Sequence, residues 1–142
     1  MPGLNEISPT FEVRPATPLD AEAWLKMRSD LWPDGAEEHG AEIADFFAGT
    51  LIEPLAVFVA LSAEGNYVGL LELSVRDDVP TLEGERTGYI EGLFVVPEMR
   101  SRGAAFALLK WARQWARCLD CSAFASDRAD RFVIDRRFAD RR

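Results

Sequence analysis

Apolar and polar positions recur with two different periods along this chain, and each change of period marks a predicted element. Three amphipathic helices are predicted where apolar residues recur every three or four positions: 17–32, about 36–48 and 103–118. Five short runs rich in β-branched and apolar residues are predicted to be strands: 11–14, 55–62, 67–75, 87–96 and 122–125. The order β-α-α-β-β-β-α-β predicts an α/β (α+β) fold, in which helices flank a mixed, mostly antiparallel sheet.

The ends and the buried faces of the helices also follow from the sequence. The first helix has a predicted N-cap at Thr17, a proline at its first position and Asp20 in its first turn. The third helix has the widest apolar stripe, which we expect to be buried against the sheet. The stripe consists of Phe106, Leu108, Leu109, Trp111 and Trp115.

Length and charge narrow the class of protein. With 142 residues, 48% of them hydrophobic, the chain is long enough for one core, which predicts a single domain. The 24 acidic residues outnumber the 16 basic ones, and the net charge is −8. This charge repels nucleic acid and anionic membranes, so neither is expected as a partner, and it favours a cationic ligand. A merely solvated acidic surface is the alternative, although residues 34–85 hold many carboxylates and a single base, Arg76.

No part of the sequence resembles a membrane or export segment. The apolar runs are far shorter than the roughly 18–20 residues that a membrane-spanning helix needs. The opening "MPGLNEISPT" lacks the basic start and apolar stretch of a signal peptide. We therefore expect the protein to be cytoplasmic.

The two cysteines, Cys118 and Cys121, have the spacing C-x-x-C. A structural zinc site would need two more ligands, and the single histidine, His39, is distant in sequence. We therefore expect no metal site. A redox pair is a weaker alternative to two small residues at a helix-to-strand junction.

A polar turn between the strand at 87–96 and the third helix has the features of an anion site. The first amides of a helix lack partners and lie at the positive end of its dipole, which favours anions. Gly103, Ala104 and Ala105 allow close approach to those amides, and Arg100 and Arg102 add positive charge. The turn is therefore predicted to hold a pyrophosphate; a helix end with solvated arginines is the alternative.

The run "LFVVPEMRSRGAA" at 93–105 resembles the acetyl-CoA signature of the Gcn5-related N-acetyltransferase superfamily. The resemblance implies that fold and acetyl-CoA as co-substrate. It also implies that the turn wraps the pyrophosphate while the preceding strand pairs with the pantetheine arm. The implied cofactor-binding residues are Leu93, Phe94, Val95, Arg100, Ser101, Arg102, Gly103, Ala104, Ala105 and Phe106.

Four segments in order resemble the aminoglycoside 6′-N-acetyltransferases more closely. They are "LKMRSDLWPDG" (25–35), "ELSVRDDV" (72–79), "GYIEGLFVVPEMRSRGAA" (88–105) and "CSAFASD" (121–127). The resemblance implies acetyl transfer to the 6′-amine of a polycationic aminoglycoside. The implied substrate-binding residues are Trp32, Asp78, Val79, Glu91 and Asp127. For Trp32, burial in the core at the end of a helix is an equal alternative.

Amine acetylation requires a group that takes a proton, because an ammonium ion cannot attack a thioester. A carboxylate can bind the ammonium and accept its proton, directly or through water. Glu91 interrupts an apolar strand two residues before Leu93, where a charge is costly unless it is paired or used. Asp127 follows the last predicted strand at a sheet edge. We expect Glu91 and Asp127 to be the catalytic carboxylates.

The sequence departs from the family pattern at several positions. Gly35 stands where a histidine is expected, Val79 where a tyrosine is expected, and Phe132 where an asparagine is expected to contact CoA. No tyrosine occurs after Tyr89 to serve as the usual general acid.

The carboxyl-terminal segment differs most from the family. We predict an N-acetyltransferase domain at 11–127 and an atypical arginine-rich tail at 128–142, without the family's last helix and strands. A helix is more plausible in this tail than two strands. Because missing strands would leave a sheet edge uncovered, we expect a homodimer. The alternatives are acetylation of another amine, such as a polyamine or a protein N-terminus, and a non-catalytic CoA-binding remnant.

Overall fold

The computed structural model describes residues 11–128, 131–135 and 138, and its centre is a six-stranded sheet. The strands are β1 (Glu12–Pro15), β2 (Ala56–Leu61), β3 (Tyr67–Arg76), β4 (Thr87–Val95), β5 (Ala123–Arg128) and β6 (Arg131–Asp135). They lie side by side in chain order. β4 and β5 pair in parallel, and all other neighbours are antiparallel. The prediction of a mixed, mostly antiparallel sheet is confirmed.

Three α-helices lie where the apolar spacing predicts them. They are α1 (Ala21–Leu31), α2 (Ala36–Ala48) and α3 (Ala104–Cys118). A short 3₁₀ turn at Pro18–Asp20 precedes α1, and Thr17 is its N-cap, as predicted. Among the described residues, no helix is both long and apolar enough to span a membrane.

Different helices pack on the two faces of the sheet, because side chains alternate between the faces along each strand. On one face, Leu71 and Leu73 of β3 pack with Leu108 of α3. On the other face, Leu70 of the same strand packs with Trp24 of α1. Burying a side chain of this size contributes about 1.5–3 kcal/mol relative to leaving it exposed. Helices on both faces therefore hold the central strands in place.

The predicted buried stripe of α3 is only partly correct. Leu108 is buried, but Phe106 is 72% exposed and Trp111 is 38% exposed. The residues of α3 that are buried are instead Ala104, Leu108, Ala112 and Ala116. The small residues bring the helix close to the sheet: a Cβ on Gly88 of β4 would lie 2.6 Å from the Cβ of Ala116. Close approach of the backbones, rather than side-chain size, decides which face of α3 is buried.

The prediction that a helix follows residue 128 is wrong. β6 (Arg131–Asp135) instead pairs antiparallel with β5. This short segment pairs with β5 instead of forming a helix, because its central residues favour β-strands. Phe138 is also buried and stacks on Phe124, with ring centroids 5.4 Å apart. The predicted boundary between 127 and 128 stays a prediction, although β5 runs across it; the rest of the tail lies outside the described residues.

Asp20 joins the start of α1 to two strands of the sheet. Arg14 of β1 donates hydrogen bonds of 2.7 and 3.0 Å to its carboxylate. The backbone N–H of Thr17 donates another at 2.7 Å, and the hydroxyl of Tyr67 also donates to this carboxylate. These bonds, that of Arg14 foremost, hold the pKa of Asp20 well below its ordinary value, although burial opposes the change.

We expect the Asp20→Asn variant to lose about 1.5–3 kcal/mol of unfolding free energy at neutral pH, because hydrogen bonds to a charged group are lost. The folded pKa lies below the unfolded value of about 3.9, so the carboxylate's contribution is fully present above that pH. It is lost as the pH falls through the folded pKa. Urea denaturation of both proteins at neutral pH and at about pH 2.5 tests this. A difference between them that does not shrink in acid would contradict it.

Candidate active site

The pairing of β4 with β5 stops halfway along β4, and the space beside β4 beyond the last pair is called the cleft here. The parallel pairs run from Thr87 with Ala123 to Ile90 with Ser126 and end there. The register of β3 against β4 shifts at the same place: Leu73 pairs with Ile90 but Glu72 pairs with Gly92, so Glu91 is an extra residue. Such a bulge bends a strand and redirects its side chains. Within the described residues, β4 beyond Ile90 has no strand partner on the side of β5.

The two predicted catalytic carboxylates occupy equivalent positions at the start of this cleft. Glu91 directly follows Ile90, and Asp127 directly follows Ser126, the last pair of the two parallel strands. Asp127 lies within β5 rather than after it, and its backbone pairs with Phe132 of β6. The side chain of Asp127 lies outside what the structure describes. The backbone register thus brings both positions to the same end of the β4–β5 pair.

The turn after β4 has the geometry that the sequence predicts for an anion site. A 3₁₀ turn at Pro97–Met99 leads into Ser101 and Gly103, whose φ angles are 65° and 95°. Gly103 is the N-cap of α3, and no side chain among the described residues caps that helix end. A residue with a Cβ would be strained at the φ of Gly103. The first amides of α3 therefore remain available to an anion.

Most of the predicted cofactor residues line one cavity of about 390 Å³ at this turn: Val95, Arg100, Ser101, Gly103, Ala105 and Phe106. Arg100 is anchored, because its Nε donates to the carbonyl oxygen of Val95 at 2.8 Å. Arg102 is exposed beside the cavity. The exposure of Phe106, which contradicts its predicted burial, gives this cavity an aromatic wall.

Three further predicted cofactor residues can contribute backbone atoms rather than side chains. Phe94 and Ala104 are buried, and Leu93 packs against the cluster beneath α3. Phe94 also lies under Arg100, whose guanidinium carbon is 5.6 Å from the ring centroid. The strand at 93–95 thus offers its main chain to the cleft while its side chains secure it to both faces of the sheet.

Glu91 is ion-paired with Arg76, a contact that the sequence prediction missed. Nε and Nη2 of Arg76 both approach Oε2 of Glu91 at 2.8 Å. The side chain of Glu91 is 18% exposed, so the charge is paired but reachable. The signal was present in the sequence, since Arg76 is the single base between positions 34 and 85.

Asp78 and Val79, both predicted to bind substrate, have different surroundings. The carboxylate of Asp78 is exposed and lies 3.9 Å from Nη1 of Arg76. Val79 is 1% exposed and packs with Leu82 and Ala125 beneath the loop. Because its side chain fills a small core, the structure places Val79 away from any surface that a substrate could contact.

Trp32 ends α1 and lies against the bulge of β4. A Cβ on Gly92 would lie 2.7 Å from Cη2 of Trp32, so the close contact needs a glycine in the strand. Trp32 is neither fully buried nor free, because one face covers Gly92 and Arg28 lies 5.4 Å from its ring centroid. The ring therefore packs against the residue that directly follows Glu91 in β4. Gly92 is a second site residue that the prediction missed, and its signal is the glycine within an apolar strand.

The single histidine fills the space beside Gly35. A Cβ on Gly35 would lie 3.1 Å from Cε1 of His39. Nε2 of His39 donates to the carbonyl oxygen of Trp32 at 2.9 Å. His39 of α2 thus holds the main chain of Trp32 at the end of α1.

A buried ion pair lies beneath Trp32. Arg28 Nε is 3.5 Å from Oε2 of Glu72, and Arg28 Nη2 is 2.8 Å from Glu42. Nε1 of Trp24 donates to the same Glu72 oxygen at 2.9 Å. Burial raises the pKa of Glu72, while the charge of Arg28 and the Trp24 hydrogen bond lower it; the net shift is upward. Arg28 therefore joins α1 to the sheet through Glu72 and to α2 through Glu42.

The two cysteines have different surroundings, and both are free. Cys118 is exposed at the end of α3, and Cys121 is buried before β5. Burial raises the pKa of the Cys121 thiol. Across residues 11–128, 131–135 and 138, no group of three or more potential metal ligands occurs.

Comparisons with known proteins show the family to which the chain belongs. A model of the acetyltransferase (GNAT) family matches residues 21–138. "Aminoglycoside N(6')-acetyltransferase type 1" of Klebsiella aerogenes is 42% identical over 116 residues, which are 81% of this chain and 76% of that protein. The protein of the same name from Stenotrophomonas maltophilia is 38% identical over 119 residues, covering 81% and 73%.

A solved structure extends the likeness to three dimensions. The enzyme AAC(6')-Iy, in complex with the bisubstrate analog CoA-S-monomethyl-acetylneamine, superposes with a TM-score of 0.74 at 28% identity. The match covers 84% of this chain and 80% of that one. The predicted resemblance is confirmed: this chain is an enzyme of the acetyltransferase (GNAT) family.

Proposed function

We propose that this enzyme transfers the acetyl group of acetyl-CoA to the 6′-amine of an aminoglycoside. The observation that carries the proposal is the cleft between β4 and β5. Near one end of it lies the turn at 100–106 with the uncapped start of α3, and at the other lie the positions of two carboxylates, Glu91 and Asp127. A thioester with a phosphorylated tail and a polycationic amine are the pair of ligands that such a cleft suits. The names of the relatives, which are aminoglycoside N(6')-acetyltransferases, support the same substrate class.

The turn at 100–106 would hold the pyrophosphate of acetyl-CoA. The fit is physical: Gly103 adopts a φ of 95° that a side chain would strain, and the helix end behind it is uncapped within the described residues. When bound, acetyl-CoA supplies the activated acetyl group. On the side of β5, the main chain of Leu93 to Val95 has no strand partner among the described residues. Apart from the Val95 carbonyl, which accepts from Arg100, it would offer hydrogen-bonding groups to the pantetheine arm and to the acetyl oxygen. The exposed ring of Phe106 offers an apolar contact at the cavity wall.

The opposite side of the cleft would bind and deprotonate the amine. Glu91 attracts the ammonium and takes its proton, directly or through water, so that the neutral amine can attack. Asp127 adds a second carboxylate position across the cleft, and exposed Asp78 extends the negative surface. Trp32 supplies an apolar face beside Gly92 on which a sugar ring could pack.

We further propose that the enzyme is a cytoplasmic homodimer. Two free cysteines fit a reducing compartment. β1 and β6 are the two edges of the sheet, and an edge strand can pair with a second copy of the chain. Light scattering coupled to size-exclusion chromatography tests the oligomeric state, and a monomeric mass would overturn the dimer.

The other readings are less well supported. Acetylation of a polyamine or a protein N-terminus would use the same cleft chemistry, but none of the most similar relatives has such a name. An inert CoA-binding remnant is disfavoured, because the cavity at the turn of 100–106, the cleft and the carboxylate of Glu91 are all present.

An acetyl-transfer assay with matched acceptors tests the proposal. We expect thiol release and a singly acetylated product with an aminoglycoside that has a 6′-amine. No turnover is expected with one that has a 6′-hydroxyl, or with spermidine or a peptide N-terminus. Acetyl-CoA at a hundred times its Kd should add about 2.7 kcal/mol of stability, visible as a raised Tm. A raised Tm with turnover on spermidine or the peptide alone would refute the aminoglycoside assignment.

A further inference from the structure

Arg76 draws together carboxylates from three separate segments. It is the last residue of β3, and its guanidinium meets Glu53 from the loop before β2, Asp78 from the loop after β3, and Glu91 from the bulge of β4. A ligand-free cluster of three carboxylates would repel itself. One internal cation therefore holds the cluster in a single arrangement.

The hydrogen bonds of Arg76 use only one of the two oxygens of Glu91. Nε and Nη2 both address Oε2 at 2.8 Å. Nη2 also donates to Oε1 of Glu53 at 2.9 Å. Within residues 11–128, 131–135 and 138, no hydrogen bond reaches Oε1 of Glu91. One oxygen of this carboxylate is anchored, and the other is left for a ligand.

Packing makes Arg76 a fixed charge rather than a mobile one. Its side chain is 26% exposed, and its guanidinium carbon lies 4.8 Å from the ring centroid of Tyr89. Burial alone would lower the pKa of Arg76, but Glu91, Glu53 and Asp78 raise it above its ordinary value. The planar guanidinium, with its forked donors, is suited to hold a carboxylate in one orientation.

We propose that Arg76 is a positioning residue for amine acetylation. By holding Oε2 of Glu91, it orients Oε1 toward the amine that Glu91 binds and deprotonates. Glu53 acts one step further away, because its charge keeps the guanidinium in place. This inference rests on the proposed function, since it concerns the carboxylate that takes the amine's proton. A competing role, in which Arg76 occupies the carboxylates and must be displaced by substrate, makes the opposite kinetic prediction.

The test compares the Arg76→Gln and Arg76→Lys variants with the wild type on a 6′-amine aminoglycoside. We expect Arg76→Gln to lose about 10²-fold in kcat/KM, mostly in kcat, because the proton acceptor is misplaced. Arg76→Lys keeps the charge but lacks the fork, so its Tm should return toward wild type while kcat stays low. The Tm rise with acetyl-CoA should be unchanged in both. Lys26→Gln removes an exposed charge in a surface pair with Asp30 and is the control.

The outcomes separate the inference from the function on which it rests. A wild type that does not acetylate the aminoglycoside refutes the proposed function. An active wild type with an equally active Arg76→Gln variant, or one with a lowered KM and unchanged kcat, overturns only the inference. If Arg76→Gln does not fold, Glu53→Gln serves instead, because it leaves Arg76 and Glu91 in place. We then expect a smaller loss of kcat in the same direction, and a wild-type kcat would overturn the proposal.

Discussion

The Glu91→Gln variant is expected to lose about 10²–10⁴-fold in kcat for a 6′-amine aminoglycoside, the range typical of a missing general base. Glutamine has nearly the same shape and can still bond to Arg76, but it cannot take a proton from the amine. The measurement is steady-state kinetics with saturating acetyl-CoA. Because Glu91 lies at the bulge and not at the turn of 100–106, the Tm rise with acetyl-CoA should persist.

Glu64→Gln is the matched control for this substitution. Glu64 is exposed in the hairpin between β2 and β3, where loss of one negative charge should leave kcat near the wild-type value. An intact kcat in Glu91→Gln would assign proton transfer to another group, with Asp127 the next to be tested. A loss of acetyl-CoA binding in the same variant would instead show that the cleft had collapsed.

The Glu72→Ala variant is expected to lose about 3–5 kcal/mol of unfolding free energy, the range for removing one partner of a buried ion pair. Glu72 is 1% exposed, and the Arg28 side chain beside it is 9% exposed. Without this carboxylate, Arg28 keeps only Glu42, and Nε1 of Trp24 loses its acceptor. Urea denaturation at neutral pH measures the change. A loss of this size would take a large share of the 5–15 kcal/mol that is typical of a domain.

Asp30→Ala provides the comparison, because it breaks an ion pair between Lys26 and Asp30 on the surface of α1, the helix that carries Arg28. Exposed pairs of this kind contribute only about 0.2–1 kcal/mol. Equal losses in the two variants would mean that Glu72 contributes no more than a surface charge. Because Arg28 also lies over Trp32, we expect Glu72→Ala to raise KM for the aminoglycoside when it remains folded.

The two predictions concern different parts of the candidate active site. Glu91 is expected to act on the amine, while Glu72 holds Arg28, which lies over Trp32, the residue proposed to contact the substrate. Contacts connect Glu72 to the neighbourhood of Glu91. Glu72 pairs with Gly92 across β3 and β4, and Trp32 packs against Gly92. The residue proposed to take the proton, Glu91, is therefore adjacent to Gly92, the strand partner of the residue expected to stabilise the fold, Glu72.

Local signals in the sequence were enough to predict the three helices, the first five strands and the geometry of the turn at 100–106. Helix periodicity, the start signals at Thr17 and Asp20, and the β-branched runs depend on neighbours within a few positions. The turn at 100–106 is likewise contiguous, because a strand end, a glycine and a helix start are adjacent in the chain. For that reason its prediction needed no knowledge of distant residues.

The tertiary structure alone decided which distant residues meet. Glu91 and Arg76 are brought together by strand pairing and by a one-residue bulge, and a shift of register would have separated them. The same dependence on packing placed Val79 in a core, left Phe106 exposed and formed a strand where a helix was expected. The sequence by itself therefore determined the fold class and the geometry of the turn at 100–106, because both arise from short-range patterns. The partners of Glu91, the proposed catalytic carboxylate, depend on long-range register, which only the folded chain settles.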